Sequence, residues 1–133
     1  MGERNMPRRT RDWFNQAQRD LEHSKMDLME EFYEWSCFSA QQAAEKALKA
    51  LYQELHQVAW GHSVRGLLEK LSNEFDTEPL MEGAKILDKY YIPARYPNGF
   101  DIGAPMDYFT EKEAKEAIYY ADKIIRFCED NIS

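Results

Sequence analysis

Arg95, Tyr96 and Asn98 stand together in the stretch Tyr90-Tyr91-Ile92-Pro93-Ala94-Arg95-Tyr96-Pro97-Asn98, and each side chain suits a different part of a nucleotide. A guanidinium offers a planar fork of donors that matches a phosphate, a tyrosine ring gives a base a face to stack on, and an amide both donates and accepts. These three residues form the candidate nucleotide-binding site. A structural reading stays open beside it, in which Arg95 pairs with Asp101 or Asp107 and pins the chain. Metal chemistry has less to work with. Of the histidines His23, His56 and His62, only His23 has a carboxylate one helical turn on, at Asp27, whereas a metal site needs three or four convergent ligands. Neither a G-x-S-x-G turn nor a glycine-rich phosphate loop occurs, so no catalytic residue, metal site or cofactor is assigned from motifs.

The segment that carries Arg95 has no helical pattern. From Ile92 to Phe109, Pro93, Pro97 and Pro105 remove backbone donors, while Gly99 and Gly103 relax the chain. So long a connection in a compact domain is functional or disordered, and Tyr96, Phe100, Tyr108 and Phe109 give it something to bury. Around it the pattern predicts helices. Trp35 to Leu55 has neither Gly nor Pro, and Cys37, Ala40, Gln41, Ala44, Ala47, Leu48, Leu51 and Leu55 share an arc that Ala43 and Ala50 widen. The opposite face carries Trp35, Phe38, Gln42, Glu45, Lys46 and Lys49. Two large aromatics there need cover, either from a second chain, with Trp35, Phe38, Gln42 and Lys49 as the dimer or partner interface, or from the first helix or the long loop.

Thr10 is the expected cap of a first helix with Trp13, Ala17, Leu21, Ser24 and Leu28 along one stripe, ending near Glu30 or Glu31. Ser63 caps a short helix carrying Val64, Leu67, Leu68 and Leu71, and its mate starts near Pro79 with Leu80, Ala84, Leu87 and Tyr91. Thr110-Glu111-Lys112-Glu113 reads as a capping box, with Phe109 as a staple against Ala114. The helix it opens has its own alanine stripe, Ala114, Ala117 and Ala121 ahead of Ile124, Ile125 and Cys128. The central and last helices should therefore pack closely.

The 133 residues are the length of one domain, 1–133, with residues 1–9, which include Arg4, Arg8 and Arg9, expected as a frayed arm. A formal net charge of −7 disfavours nucleic acid as a partner outside local basic patches. No apolar run has membrane-spanning length and no leader pattern opens the chain, so a cytoplasmic location is expected. Cys37 and Cys128 each fall on an apolar arc and suit buried thiols.

Taken together, several stretches resemble the HEPN (higher eukaryotes and prokaryotes nucleotide-binding) domain family. They are Trp13 with Gln16 to Glu22, the block Phe38 to Ala50 (F-S-A-Q-Q-A-A-E-K-A-L-K-A), Gly61-His62-Ser63, and Arg95-Tyr96-Pro97. The resemblance implies an all-α, antiparallel, up-and-down bundle of four to five helices, usually a homodimer. It implies one of several roles: ribonuclease, nucleotide-binding accessory domain, or partner of a small nucleotidyltransferase in prokaryotic toxin–antitoxin-like pairs. The family's ribonuclease branch is marked by an Arg, four to six further residues, then a His. Here no His follows His62, and Arg19 reaches His23 with only three residues between. Without that His the motif's proton carrier is missing, so the expectation is the non-catalytic branch. A ribonuclease toxin with an atypical site and a purely structural dimeric module are the alternatives.

Overall fold

The computed structural model describes residues 9–133; of the expected N-terminal arm, all but Arg9 lies outside the described residues. Its five α-helices are α1 (Thr10–Met29), α2 (Tyr33–Glu54), α3 (Val64–Lys70), α4 (Glu78–Asp88) and α5 (Glu111–Asp130), and no strand occurs among the described residues. The all-helical bundle expected from the sequence is the observed fold. No helix among the described residues is long and apolar enough to cross a membrane.

Turn chemistry sets most boundaries. Glu31 takes a left-handed φ of 66° between α1 and α2, and His56 does the same at 57° just beyond α2. Ser63 caps α3 by accepting from the Gly66 amide at 2.9 Å. The capping box of α5 is complete, Thr110 Oγ1 accepting from the Glu113 amide at 3.1 Å and Glu113 Oε1 from the Thr110 amide at 3.0 Å. Thr10 departs from expectation. Arg9 holds the cap position of α1 without a side-chain bond, and Thr10 lies inside the helix with its hydroxyl buried and unpartnered. A cap must precede the first helical residue, and this helix starts one residue earlier than the capping reading requires.

α2 is the central element. Cys37, Ala40, Gln41, Ala43, Ala44, Ala47, Leu48, Ala50 and Leu51 are fully buried. On one flank α1 runs antiparallel to it: Ser24 and Ser36 exchange hydroxyl-to-carbonyl bonds at 2.7 and 2.8 Å, Lys46 meets Asp20 at 2.6 Å, and the Arg9 amide reaches Gln53 at 2.8 Å. On another flank α5 runs parallel to α2, its start beside Cys37 through Glu113 and the chain end bonded to Glu54 through Ser133. Ala114, Ala117 and Ala121 are fully buried there, so the expected contact between the two alanine stripes is observed. Small side chains let the axes approach, and the leucines beyond them each contribute about 1.5–3 kcal/mol by burial.

α4 packs antiparallel on α5 at equally close range. A Cβ added at Gly83 would meet the Tyr120 ring at 2.6 Å, which is why glycine stands there. Asp88, the last residue of α4, accepts from Ser63 Oγ at 2.7 Å, the Val64 amide at 2.7 Å and the Arg65 amide at 3.1 Å, satisfying the start of α3. That clamp fixes the chain before α3 beside the chain after α4. α4 also ends sooner than its apolar stripe suggests. Tyr90, not Tyr91, continues into the core, and Tyr91 turns outward.

Candidate functional site

The outward turn of Tyr91 builds the site. Arg95 stands one turn further on, donates Nε to the Tyr91 carbonyl at 2.8 Å, and lays its guanidinium over three rings. Its Cζ is 4.6 Å from the centre of Phe38, 4.6 Å from Tyr91 and 5.1 Å from Tyr96. Trp35 extends the cluster edge-on to Phe38, with centroids 6.1 Å apart. Two patches that look separate in the sequence, the Arg95 loop and the Trp35–Phe38 face of α2, are thus one surface. Arg95 pairs with neither Asp101 nor Asp107. Asp107 instead accepts from the Ala104 amide at 2.9 Å, and no ion pair to Arg95 occurs among the described residues. Cation–π contacts do not use the guanidinium's donors, and with Nε given to Tyr91 the two terminal amino groups have no hydrogen-bond partner among the described residues, whereas a carboxylate would have occupied them.

Tyr96 is 47% exposed, and Asn98 lies exposed in a 3-10 turn, Pro97–Gly99, beside it. The cover over Trp35 and Phe38 is divided: the loop shields Phe38 through Tyr91 and Arg95, while Trp35 remains 43% exposed.

A polar network adjoins the rings. Glu45, on the face of α2 opposite the alanine arc, is buried at 4% exposure. Its carboxylate takes Lys49 Nζ at 2.8 Å and His62 Nδ1 at 3.1 Å. Gln41, fully buried, donates to the His62 carbonyl at 2.9 Å, and Gln42 donates to Gln41 at 2.8 Å. Gln41, Gln42, Glu45 and Lys49 of the family-like block therefore hold the chain before α3 against α2. A buried carboxylate is tolerated only when satisfied in this way. The His62 ring then stacks on Tyr91, centroids 4.9 Å apart and planes 17° from parallel.

Glu45, His62 and Tyr91 are the site residues that helical periodicity misses. The signals for them were non-local or misassigned: His62 sits in the Gly61-His62-Ser63 turn, and Tyr91 in an apolar stripe that α4 does not complete. His23 and Asp27 form the expected pair, at 3.4 Å, but Asp27 is largely buried and the pair does not face solvent as a whole. Both cysteine thiols are buried, and burial pushes their pKa values up, which suits inert core groups. A shallow groove of about 640 Å³ lies apart from the Arg95 cluster, along α1, lined by Arg9, Trp13, Gln16, Arg19 and Lys46 among others.

This architecture is a helical bundle whose central helix is alanine-packed on one side and carries an aromatic and polar network on the other, with an arginine that meets no carboxylate among the described residues. The chain belongs to the HEPN domain family, whose model matches residues 10–131. Solved relatives agree in fold. TT1696 of Thermus thermophilus is 47% identical with a TM-score of 0.91, covering 95% of this chain and all of that one. ST0689, an archaeal HEPN homologue, is 37% identical with a TM-score of 0.80, covering 96% and 100%. A HEPN domain protein of Thermotoga maritima is 46% identical with a TM-score of 0.74, covering 90% and 95%. A protein of Methanocaldococcus jannaschii bearing the name "Putative toxin MJ1304" is 24% identical over 128 residues, covering 89% of this chain and 84% of its own length.

Proposed function

We propose that this HEPN protein is a dimeric, non-catalytic nucleotide binder that works with a small nucleotidyltransferase partner in a toxin–antitoxin-like pair. The observation that carries the nucleotide reading is Arg95, an arginine braced by three rings and by its own Nε bond, yet with no carboxylate among the described residues to neutralise it. Phosphate meets the guanidinium edge, and the exposed face of Tyr96 stacks on the base, with Asn98 at hand for its polar edge. The toxin named among the relatives supports the setting. The exposed part of Trp35, with Gln42 and Lys49 further along α2, is the surface offered to a second chain.

Titration calorimetry with AMP, ADP and ATP on the parent and on Arg95→Ala tests the site. Loss of the charge-assisted bonds should weaken binding by roughly tenfold to a hundredfold, at about 1.5–3 kcal/mol. The melting temperature of the free protein should change little, because exposed cation–π contacts are worth only about 0.5–1 kcal/mol. Equal affinity in both proteins sinks the proposed site. A second reading, ribonuclease action at an atypical site, gains support from one observation: Tyr91 brings His62 close to Arg95 despite the missing sequence motif. It requires RNA turnover that disappears in Arg95→Ala.

A further inference from the structure

Arg95 is one of two cation-capable groups on the Tyr91 ring. Its Cζ lies 4.6 Å from the ring centre and the His62 imidazole 4.9 Å, so both groups sit on one ring. The two reach the ring from opposite directions in the chain, His62 from the turn before α3 and Arg95 from the segment after α4. The three bonds that Asp88 accepts from Ser63, Val64 and Arg65 hold those segments together.

The orientation of His62 is fixed from behind. Glu45 accepts at Nδ1, 3.1 Å away, and Gln41 holds the His62 carbonyl, so the ring cannot turn over without giving up its carboxylate. With Nδ1 committed, Nε2 is the free atom, and the side chain is 58% exposed. An imidazole held so has two states toward an anion. Protonated, Nε2 donates to a phosphate oxygen; neutral, with its proton on Nδ1, Nε2 presents a lone pair that repels it. The other charged groups around the ring are already engaged. Lys49 is bonded to Glu45, Asp88 is saturated by the α3 amides, Arg65 is paired with Glu69 at 2.6 Å, and Tyr91 is the stacking platform.

We propose that His62, held by Glu45, is the second phosphate contact of the Arg95 site, and that its protonation makes nucleotide affinity fall as pH rises. The inference rests on the nucleotide reading of Arg95 and adds to it a residue, an atom and a pH dependence. Glu45 is a positioning residue: it touches no ligand and acts through His62.

The test is calorimetry with ADP on the parent, His62→Asn, Glu45→Gln and Arg95→Ala, from about pH 5.5 to 8, the range in which imidazoles titrate. Comparing parent and variant at each pH cancels the titration of the phosphate itself. The parent should lose about tenfold more affinity across the range than His62→Asn. The two should converge at the alkaline end. Glu45→Gln should move the fall in affinity to lower pH, because the imidazolium loses its carboxylate; a merely structural role for Glu45 would lower affinity equally at every pH. Circular dichroism at each pH confirms that the variants are folded. Parallel pH profiles for the parent and His62→Asn overturn the inference while leaving Arg95 in place, provided that Arg95→Ala still weakens binding. Absence of ADP binding by the parent at every pH overturns the nucleotide reading and the inference together.

Discussion

The two sides of α2 are built on opposite principles. On the side that packs in the bundle α2 carries the fully buried Ala40, Ala43, Ala44, Ala47 and Ala50, and α5 packs against it with its own buried Ala114, Ala117 and Ala121. On the opposite side stand Trp35, Phe38, Gln42, Glu45 and Lys49, long or wide groups of which Phe38 meets Tyr91, Glu45 meets His62 and Lys49 lies over the Trp13 ring. The first side is closed to solvent at these positions. The second keeps a ring that is 43% exposed, a guanidinium with no carboxylate partner among the described residues, and an imidazole whose side chain is 58% exposed. On the proposed reading, a helix with two such faces separates stability from recognition, because the close-packed side holds the bundle whatever the other side binds.

The largest effect should come from the alanine side. Ala44→Leu or Ala117→Leu inserts a branched side chain where both positions are fully buried, and should destabilise by about 1–3 kcal/mol through overpacking. For a chain of this size that is a fall of several degrees in melting temperature. Unchanged melting in both would mean that the two helices have room between them, and the contrast between the faces would lose its basis.

The aromatic side should answer differently. Trp35→Glu adds a charge to a half-exposed ring on the surface proposed for the dimer, while Phe38, braced by Tyr91 and Arg95 in its own chain, is left alone. The expected outcome by light scattering is a folded monomer, its stability at low protein concentration within about 0.5 kcal/mol of the parent, as for most surface substitutions. A dimer that survives would place the second chain elsewhere on the bundle.

How far the sequence shows this division depends on the range of each interaction. The Ser63 cap, the Thr110–Glu113 box and the alanine stripes are legible because cap, periodicity and partner lie within a few residues of one another. Arg95, Tyr96 and Asn98 are legible as residue types, but not their junction with Phe38, which the fold alone creates. Glu45 illustrates the limit most clearly. A helical wheel places it on the face with Trp35 and Phe38, for which cover is expected from a second chain, the first helix or the long loop, yet it is the chain before α3 that folds back over it, and nothing in the period of α2 registers that return. Tyr91 fails for the reverse reason: the apolar stripe runs on through it after the helix has ended at Asp88.

The smallest effect is expected where α1 meets α2, at the border between the two faces. Asp27 is largely buried, its Oδ2 has no hydrogen-bond partner, and the nearest cation-capable group, His23 at 3.4 Å, is itself engaged with Ser39 at 3.2 Å. Desolvation raises the Asp27 pKa above its ordinary 3.8, and His23 opposes that rise without cancelling it. The folded chain therefore holds this proton to higher pH than the unfolded chain does. Its contribution to stability is fully present below the ordinary value and is lost as pH rises through the folded one. Once ionised the carboxylate sits in a poor site, so above that folded-state pKa Asp27→Asn, which removes the charge but keeps the shape, should melt no lower than the parent and slightly higher. That advantage should shrink on acidification and vanish below the ordinary carboxylate range, where the parent is protonated as well. Melting curves at a series of pH values on both proteins measure it directly. An Asn variant less stable at pH 7, with a deficit that closes on acidification, would show the reverse balance. Attraction to His23 would then outweigh burial, and the border of the recognition face would be held by an ion pair.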